Sequence, residues 1–491
     1  MLAFLSLLTT IALAKPKVPK PVDVPVPPET PAVVEVAPPP PVDPLAARPT
    51  VGASASWSVP VPETATLSNG ASVWVLQQPS LPLVSVVVAV PGGAALDVGG
   101  PSGTQWMLDR MLSQGAGARD GDAFNAALET LGASVDVATG RSSSSITLTV
   151  RKENLGAALD LLADMVLRPT LNKKVVKRER ELALSSLELG KEDPVTVATR
   201  VAWSQWFGDA HPYGQAPAGT VDGLHKVSRG TLKKRLKTSW NASGVTFTVA
   251  GDVTREEIVG LLEPRLGAPW EVGKRPVVTV ASAPAHDNAP VVFVDNPGAA
   301  QTMFYVVFPG SALATPDTAP ARVGTIALGG TFTSRLNALL REKRGYTYGA
   351  RASEQSLPGA GVLVVSTRIR TDATGPAMKD LLSELARIRE GVTPEEVVKA
   401  RAAYRQDLVE TMESREGVAG TFAGWHVAGK SPDALAQALV ATDAVTQDAV
   451  KAAMAAYDPA KALLVLVGDR GKVEVPLREA GITAFVEAKA F

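Results

Sequence analysis

Few residues in this 491-residue sequence could carry catalytic or metal chemistry. Cysteine is absent, which excludes disulfides, thiolate metal sites, iron–sulfur clusters and a cysteine nucleophile. Any histidine-based metal site must draw on the four histidines of the chain, His211, His225, His286 and His426. None of them occurs in an H-x-x-x-H, H-E-x-x-H or H-x-x-E-H spacing, and isolated histidines are usually hydrogen-bonded structural residues. We therefore expect no zinc site built from these residues.

The segment SGTQWMLDRMLSQG, residues 102–115, reads as an amphipathic helix. Its apolar stripe is formed by Met107, Leu108, Met111 and Leu112. Trp106 and Arg110 are four residues apart and share a different face, with Asp109 beside them. From the residues alone, this pattern predicts a tryptophan–arginine stack on the surface of the helix.

A second segment, SRLNALLREKRGYTY, spans residues 334–348 and predicts a helix that ends at Gly345. Arg341 lies near the helix end, and Tyr348 follows seven residues later in an extended run, where Tyr346 shares its face. Arg341 and Tyr348 could both reach one polar target. The structural alternative is that Arg341 complements the helix dipole and Tyr348 packs at a rim.

The composition limits the classes of function open to the chain. Lys plus Arg and Asp plus Glu are 49 each, so the formal net charge is zero. Nucleic-acid binding by bulk charge is therefore not expected, and neither is a polybasic membrane patch. With 45% hydrophobic and 20% charged residues, the chain is of ordinary globular composition, and its length suggests two to four domains of roughly 100–200 residues.

The N-terminal region carries signals of export. Residues 1–14 are apolar and small, and residues 12–14 match an A-x-A cleavage pattern, which predicts a signal peptide cleaved after Ala14. This run is shorter than the roughly 20 residues that a membrane-spanning helix needs, so no integral membrane segment is expected. Residues 15–56 are predicted to be a proline-rich linker, because residues 16–49 hold 13 of the 38 prolines.

The remaining chain contains an internal duplication. An apolar strand ends at Pro91 and a similar one at Pro309, an offset of 218 residues, and VTFTVAGD ending at Asp252 matches LLVLVGD ending at Asp469, an offset of 217. We predict a tandem duplication of two similar α+β domains, each a sheet with helices packed on one face. Their predicted ranges are 57–274 and 291–491, joined by a linker at 275–290.

Taken together, these segments resemble those of the pitrilysin/insulinase-type zinc metallopeptidases, particularly the short two-domain members akin to mitochondrial processing peptidase. The resemblance covers roughly residues 57–491. The segments that carry it, in order, are Pro91-Gly92-Gly93, Gly103–Leu112, Glu179–Pro194, His211-Pro212-Tyr213-Gly214, Val249–Asp252 and Ser334–Tyr348. The resemblance implies a chain that forms half of a clam-shell peptidase.

The zinc motif of this family, H-x-x-E-H, falls on Trp106 to Arg110. The two ligand positions are then Trp106 and Arg110, and the position of the catalytic base is Asp109. The family's third ligand, a glutamate, falls on Ser186 within a residue or so. An indole offers no lone pair, a guanidinium is a cation and a hydroxyl is a poor zinc ligand, so we expect this site to be metal-free and inert. No cofactor is expected in this chain, and zinc only in a partner.

The family's other functional pair is an arginine and a tyrosine seven residues apart in the C-terminal domain, and Arg341 and Tyr348 match it. Tyr346 is an alternative for the tyrosine. The resemblance implies a non-catalytic, substrate-binding subunit of an exported heterodimeric zinc metallopeptidase, located in the periplasm or cell envelope. Such a subunit would supply Arg341 and Tyr348 to the zinc site of an H-x-x-E-H partner. The alternative partner is a second copy of this chain, in a homodimer.

Two other functions remain open at this point. One is an enzymatically inactive peptide-binding or scaffold protein of the cell envelope. The other is a peptidase that uses different residues, for which stoichiometric metal in the purified chain would be evidence.

Overall fold

The structure is a computed structural model that describes residues 57–282 and 291–490. The predicted signal peptide, the proline-rich linker and His286 lie outside these ranges. Within them, none of the helices combines the length and the apolar character needed to cross a bilayer.

The first half contains a six-stranded sheet in which β2 and β6 are parallel neighbours. Its strands are β1 (Glu63–Thr66), β2 (Ser72–Gln77), β3 (Leu83–Pro91), β4 (Ser134–Thr139), β5 (Ser143–Arg151) and β6 (Thr246–Gly251). Its helices are α1 (Thr104–Leu112), α2 (Gly121–Thr130), α3 (Leu155–Leu167), α4 (Lys173–Gly190), α5 (Pro194–Phe207), α6 (Val221–Lys226), α7 (Arg229–Ser239) and α8 (Arg255–Leu262). The order of strands across the sheet is β1-β2-β6-β3-β5-β4.

The second half repeats this plan. Its strands are β7 (Val291–Asp295), β8 (Gln301–Gly310), β9 (Ala350–Leu357), β10 (Ala360–Arg370), β11 (Leu463–Gly468) and β12 (Phe485–Glu487). Its helices are α9 (Ala319–Thr325), α10 (Thr374–Arg387), α11 (Pro394–Thr411), α12 (Arg415–Val427), α13 (Ala434–Asp443), α14 (Gln447–Met454) and α15 (Arg470–Glu479), and two π-helical turns lie at Ile326–Gly330 and Asn337–Lys343. The strand order is β12-β7-β11-β8-β10-β9.

The two sheets match strand for strand over five positions, which confirms the predicted tandem α+β duplication. In both, the long strand, β3 or β8, pairs antiparallel with its neighbours on both sides, and the late strand, β6 or β11, pairs parallel with the first central strand. The sheets differ at one edge, where β1 runs antiparallel to β2 but β12 runs parallel to β7. The boundaries at residues 274 and 290 stay predictions, because residues from Ser58 onward form one compact unit.

Each sheet also carries, on its second face, a helix from the other half of the chain. Helix α12 packs against β3 and β6, and helix α5 packs against β8 and β11. This arrangement adds a layer to the predicted single layer of helices. It explains why every residue of β6 and of β11 is buried, since a strand that is covered on both faces has no side facing solvent.

Local signals in the sequence set several helix ends. Helix α11 begins at Pro394 behind a capping box in which Thr393 and Glu396 bind each other's backbone amides. The helical turn that carries Arg341 ends as predicted at Gly345, which has a φ of 65° and donates its amide hydrogen to the Arg341 carbonyl at 3.0 Å. The chain therefore leaves the helix sharply and carries Tyr348 away from it.

Candidate functional site

Helix α1 presents two different surfaces, as its spacing predicted. Met107, Leu108, Met111 and Leu112 are completely buried in the core of the first half. On the opposite side the guanidinium carbon of Arg110 lies 5.0 Å from the centre of the Trp106 ring. The predicted tryptophan–arginine stack is therefore present.

Arg110 is also bound to a carboxylate on the neighbouring helix. Its Nη2 donates to Glu179 Oε2 of α4 at 2.7 Å, and Arg178 donates to the other carboxylate oxygen at 3.0 Å. Burial alone would raise the pKa of Glu179, but hydrogen bonds and charge from the two arginines hold it below its usual value. The residue that the resemblance assigns to the second zinc-ligand position is thus a cation with its own carboxylate partner.

Asp109 does not lie beside Trp106 and Arg110 on the surface, as the sequence suggested, but points into the protein. Its carboxylate is buried and accepts four hydrogen bonds, listed here by donor: Thr139 Oγ1 at 2.6 Å, Ser144 Oγ at 2.6 Å, Gln105 Nε2 at 2.8 Å and Trp240 Nε1 at 2.8 Å. Burial raises the pKa of Asp109 to about 6, and these donors oppose the rise. The predicted position of Asp109 beside the pair was wrong because consecutive residues of an α-helix point about 100° apart, so Asp109 faces the core while Arg110 faces outward. The carboxylate at the base position ties α1 to β4 and β5 and is closed to substrate.

Ser186 lies on α4 two helical turns after Glu179 and is exposed. It stands between two exposed leucines, Leu182 at 50% and Leu189 at 73% exposure. The residue that the resemblance assigns to the third ligand position is therefore an exposed hydroxyl. Indole, guanidinium and hydroxyl together do not fit a zinc ion. In the described ranges, no group of three or more histidine, cysteine or acidic residues is arranged to hold a metal.

The histidines within the described ranges have separate surroundings. His426 stacks on Trp74 at 4.1 Å and hydrogen-bonds Ser72 Oγ at 2.7 Å, and burial lowers its pKa to about 4. His211 stacks on Phe207 at 4.6 Å. His225 is exposed at the end of α6. The contacts of His426 and His211 are those of structural residues.

The second half carries an open cleft of about 550 Å³ near Tyr348. We call it the Tyr348 cleft, and the lining residues used below are Val195, Met303, Phe332, Tyr348, Arg351 and Arg368. Tyr348 is 92% exposed and Phe332 is 64% exposed. Two large aromatic side chains exposed beside one cleft are typical of a binding surface.

Arg341 does not line this cleft itself, but it contacts Phe332, which does. Its guanidinium carbon lies 3.6 Å from the centre of the Phe332 ring, which makes a cation–π contact. Its Nη1 lies 3.2 Å from Glu342 Oε1, but this buried nitrogen makes no hydrogen bond among the described residues. Arg341 therefore keeps hydrogen-bonding capacity beside an exposed ring.

Tyr346 and Tyr348 have different surroundings, although both were expected on one face of an extended run. Tyr346 packs against the core of the second half, and its carbonyl accepts a hydrogen bond from the Arg370 amide at 3.0 Å. Between the tyrosines, the Thr347 side chain accepts from the Gly349 amide at 3.0 Å, which closes a tight turn. The turn separates the two rings and leaves Tyr348 as the exposed phenol.

Sequence reasoning did not find Phe332, Arg351 or Arg368. Phe332 is an aromatic residue in an otherwise polar loop after Gly329-Gly330, which is a weak signal for an exposed binding residue. Arg368 alternates with apolar residues at the end of β10, a pattern that indicates an open sheet face.

Comparison with known proteins identifies the family of this chain. Residues 73–209 match the profile described as "Insulinase (Peptidase family M16)", and residues 226–404 match "Peptidase M16 inactive domain". The chain belongs to the insulinase, or M16, peptidase family. The assignment of the family's zinc-ligand positions to Trp106, Arg110 and Ser186 stays a prediction.

Individual relatives agree with this assignment. The chain is 24% identical over 355 residues to an uncharacterized zinc protease of Mycobacterium tuberculosis, covering 72% of this chain and 80% of the relative. It is 25% identical over 223 residues to human cytochrome b-c1 complex subunit 1, covering 45% and 46%. The fold is similar to the crystal structure of a peptidase M16 inactive domain from Pseudomonas fluorescens, with a TM-score of 0.76, 22% identity, and coverage of 83% and 98%.

Proposed function

We propose that this protein is a non-catalytic, substrate-binding subunit of an exported heterodimeric zinc metallopeptidase. The observation that carries the proposal is the exposed phenol of Tyr348 at an open cleft, with Arg341 behind the exposed ring of Phe332. Exposing two aromatic rings to water is unfavourable unless a ligand or partner covers them.

The chemistry of Arg341 and Tyr348 suits a contribution to the active site of another subunit. A phenol and a guanidinium both donate hydrogen bonds to an oxygen that gains negative charge during peptide hydrolysis. The degenerate position on α1 lacks the ligands for a metal, so the hydrolytic centre belongs to the partner. That partner is a homologue with an intact H-x-x-E-H motif that carries the zinc, and a second copy of this chain is the alternative for assembly without hydrolysis.

The first test is a native pull-down of the chain from its own cell extract, followed by mass spectrometry. We expect a near-stoichiometric protein with an H-x-x-E-H motif. If the chain comes down alone or with unrelated envelope proteins, the heterodimer proposal is wrong.

The second test measures peptide hydrolysis by the purified complex. We expect Arg341→Ala and Tyr348→Phe to lower kcat by about tenfold or more while the complex still assembles, because each removes a donor to the reacting oxygen. Tyr346→Phe is the matched control and should leave turnover unchanged, since its ring packs against the core. Unchanged turnover in the Arg341 and Tyr348 variants would contradict the proposed role.

The second candidate is a peptide-binding or scaffold protein without a peptidase partner. The observation that favours it is the similarity to a subunit of the cytochrome b-c1 complex, a protein named as part of an assembly. On this alternative the exposed face of α4 around Leu182 and Leu189 is a contact surface, and the pull-down returns a complex that lacks peptidase activity.

A further inference from the structure

We propose that the Tyr348 cleft selects peptides that carry a carboxylate next to an apolar residue. This inference rests on the proposed function, because it names the substrate class of the same site. A carboxylate can come from an acidic side chain or from the C-terminus of a peptide, and the experiment below separates the two sources.

The charge of the cleft has one sign. The charged side chains that line it are Arg351 and Arg368, and no described lining residue is acidic. A third guanidinium, that of Arg341, lies directly behind the Phe332 wall, where it forms an ion pair with Glu342. In a protein whose net charge is zero, this local excess of arginine is a property of the site.

The two lining arginines are placed side by side by the register of the sheet. Arg351 of β9 pairs with Ser366 of β10, and Arg368 follows Ser366 by two residues on the same strand. Arg351 and Arg368 are therefore diagonal neighbours on one face, with backbones about 7–8 Å apart. Two guanidiniums at this separation can both donate to one carboxylate.

Neither arginine forms a close ion pair, although the charge of Arg368 helps to lower the pKa of Asp193. No ion pair within 4.0 Å involves Arg351 or Arg368 among the described residues. Asp193 is engaged as the N-cap of α5, where it accepts from the Thr196 hydroxyl at 2.7 Å. Burial and Glu410 raise the pKa of Asp407, and Arg351 opposes that rise only in part. The positive charge of the cleft thus remains available to a ligand.

The uncharged residues that line the cleft indicate the apolar part of the ligand. Phe332 and Tyr348 are exposed rings, and Met303 and Val195 supply aliphatic surface from β8 and α5. Met303 pairs with Arg368 across the two strands, so apolar and cationic groups alternate at one place on the sheet. A peptide with an acidic residue beside a leucine or phenylalanine matches both features.

Peptide binding to the purified full chain, measured by fluorescence anisotropy, tests the inference. The probes are a fluorescein-labelled nonapeptide of Ala, Ser and Leu with a central Glu-Leu and an amidated C-terminus, the same peptide with Gln-Leu, and the Gln-Leu peptide with a free C-terminal carboxylate. We expect the wild-type chain to bind a carboxylate-bearing probe about fivefold more tightly than the amidated Gln peptide, with the preference fading at high salt.

Variants of Arg351 and Arg368 test whether these arginines cause the preference for a carboxylate. Arg351→Gln and Arg368→Gln should each reduce this preference to about twofold or less. Arg370→Gln is the matched control, because Arg370 lies on the same strand, pairs with Asp372 and does not line the cleft.

The outcomes separate the inference from the function on which it rests. Equal affinity for all three peptides, combined with weaker binding of all three by Phe332→Ala, would overturn the carboxylate preference and leave peptide binding intact. A preference only for the free C-terminus supports the inference and identifies its source. Absence of binding by every probe would overturn the proposed function together with this inference.

Discussion

Asp109 and Arg110 are adjacent in sequence but have opposite environments. Arg110 lies at the surface, where Trp106 and Glu179 hold it, whereas Asp109 is enclosed by four hydrogen-bond donors. The resemblance located both positions, and their residue types were enough to argue against a zinc site. Their roles in the present fold could not be read from the sequence, because the partners Glu179 and Trp240 are 69 and 131 residues away.

The buried carboxylate predicts a pH dependence of stability. The pKa of Asp109 in the folded chain, about 6, is above its usual value of 3.8. Its contribution to stability is therefore complete below pH 4 and is lost as the pH rises through 6, by about 3 kcal/mol. Asp97, whose pKa burial also raises to about 6, acts in the same direction. His426 acts in the opposite direction, because its lowered pKa means that stability is lost as the pH falls from 6.5 to 4.

We expect Asp109→Asn to change the balance between these groups. Asparagine cannot ionise, so the variant loses the gain that Asp109 contributes on acidification, while His426 still lowers stability. Urea unfolding at pH 4, 5, 6 and 7 should show a stability that falls more steeply toward acid in the variant than in the wild type. The exposed carboxylate of Asp136 on β4 provides the control Asp136→Asn, which should follow the wild-type profile. Parallel profiles for wild type and Asp109→Asn would contradict this account.

At the level of elements, the most important feature is the exchange of α5 and α12 between the halves. The pairing of strands was predictable, because apolar runs at offsets of 218 and 217 residues must form equivalent strands. The exchange was not predictable from periodicity. The apolar stripe of α12 indicates that one face is buried, but it contains no information about which sheet covers that face.

Phe422 tests the attachment of α12 to the first sheet. This residue is completely buried within the stripe of α12. We expect Phe422→Ala to lower the free energy of unfolding by about 3–5 kcal/mol. Because α12 covers the first sheet, amides of β3 and β6 should also lose protection from hydrogen exchange, although the substitution lies in the second half.

The control for this prediction is Val440→Ala on α13, where the side chain is 69% exposed. This variant should remain within about 0.5 kcal/mol of the wild type. Loss of protection confined to the second half in Phe422→Ala would show that α12 does not stabilise the first sheet.

For the whole molecule, the duplication and the lack of zinc ligands on α1 and α4 together predict which subunit of the complex holds zinc. We expect the purified chain alone to contain well under one zinc per molecule and the complex to contain about one, held by the partner. Chelation should then abolish hydrolysis by the complex but leave the Tm of this chain unchanged. Stoichiometric zinc in the isolated chain, or a lower Tm after chelation, would contradict this prediction.

The candidate site was predictable only in part, because distant segments of the chain come together to form it. Arg341 and Tyr348 were identified because they lie within one continuous segment. The Tyr348 cleft also takes Val195 from the first half, Met303 from β8 and Arg368 from β10. Such a surface is assembled by the fold, so its cationic and aromatic character became visible only in three dimensions.

The exchanged helices also have a consequence for synthesis on the ribosome. Ser72 of β2 is hydrogen-bonded to His426, which lies 354 residues later in the chain. The first sheet therefore cannot cover its second face until about residue 427 has emerged, when most of the chain has already been made. Contacts this distant in sequence slow folding and leave apolar strands open in the meantime. Until α12 is available, the first half exposes the second face of its sheet, so we expect that it cannot complete its fold as an independent N-terminal domain.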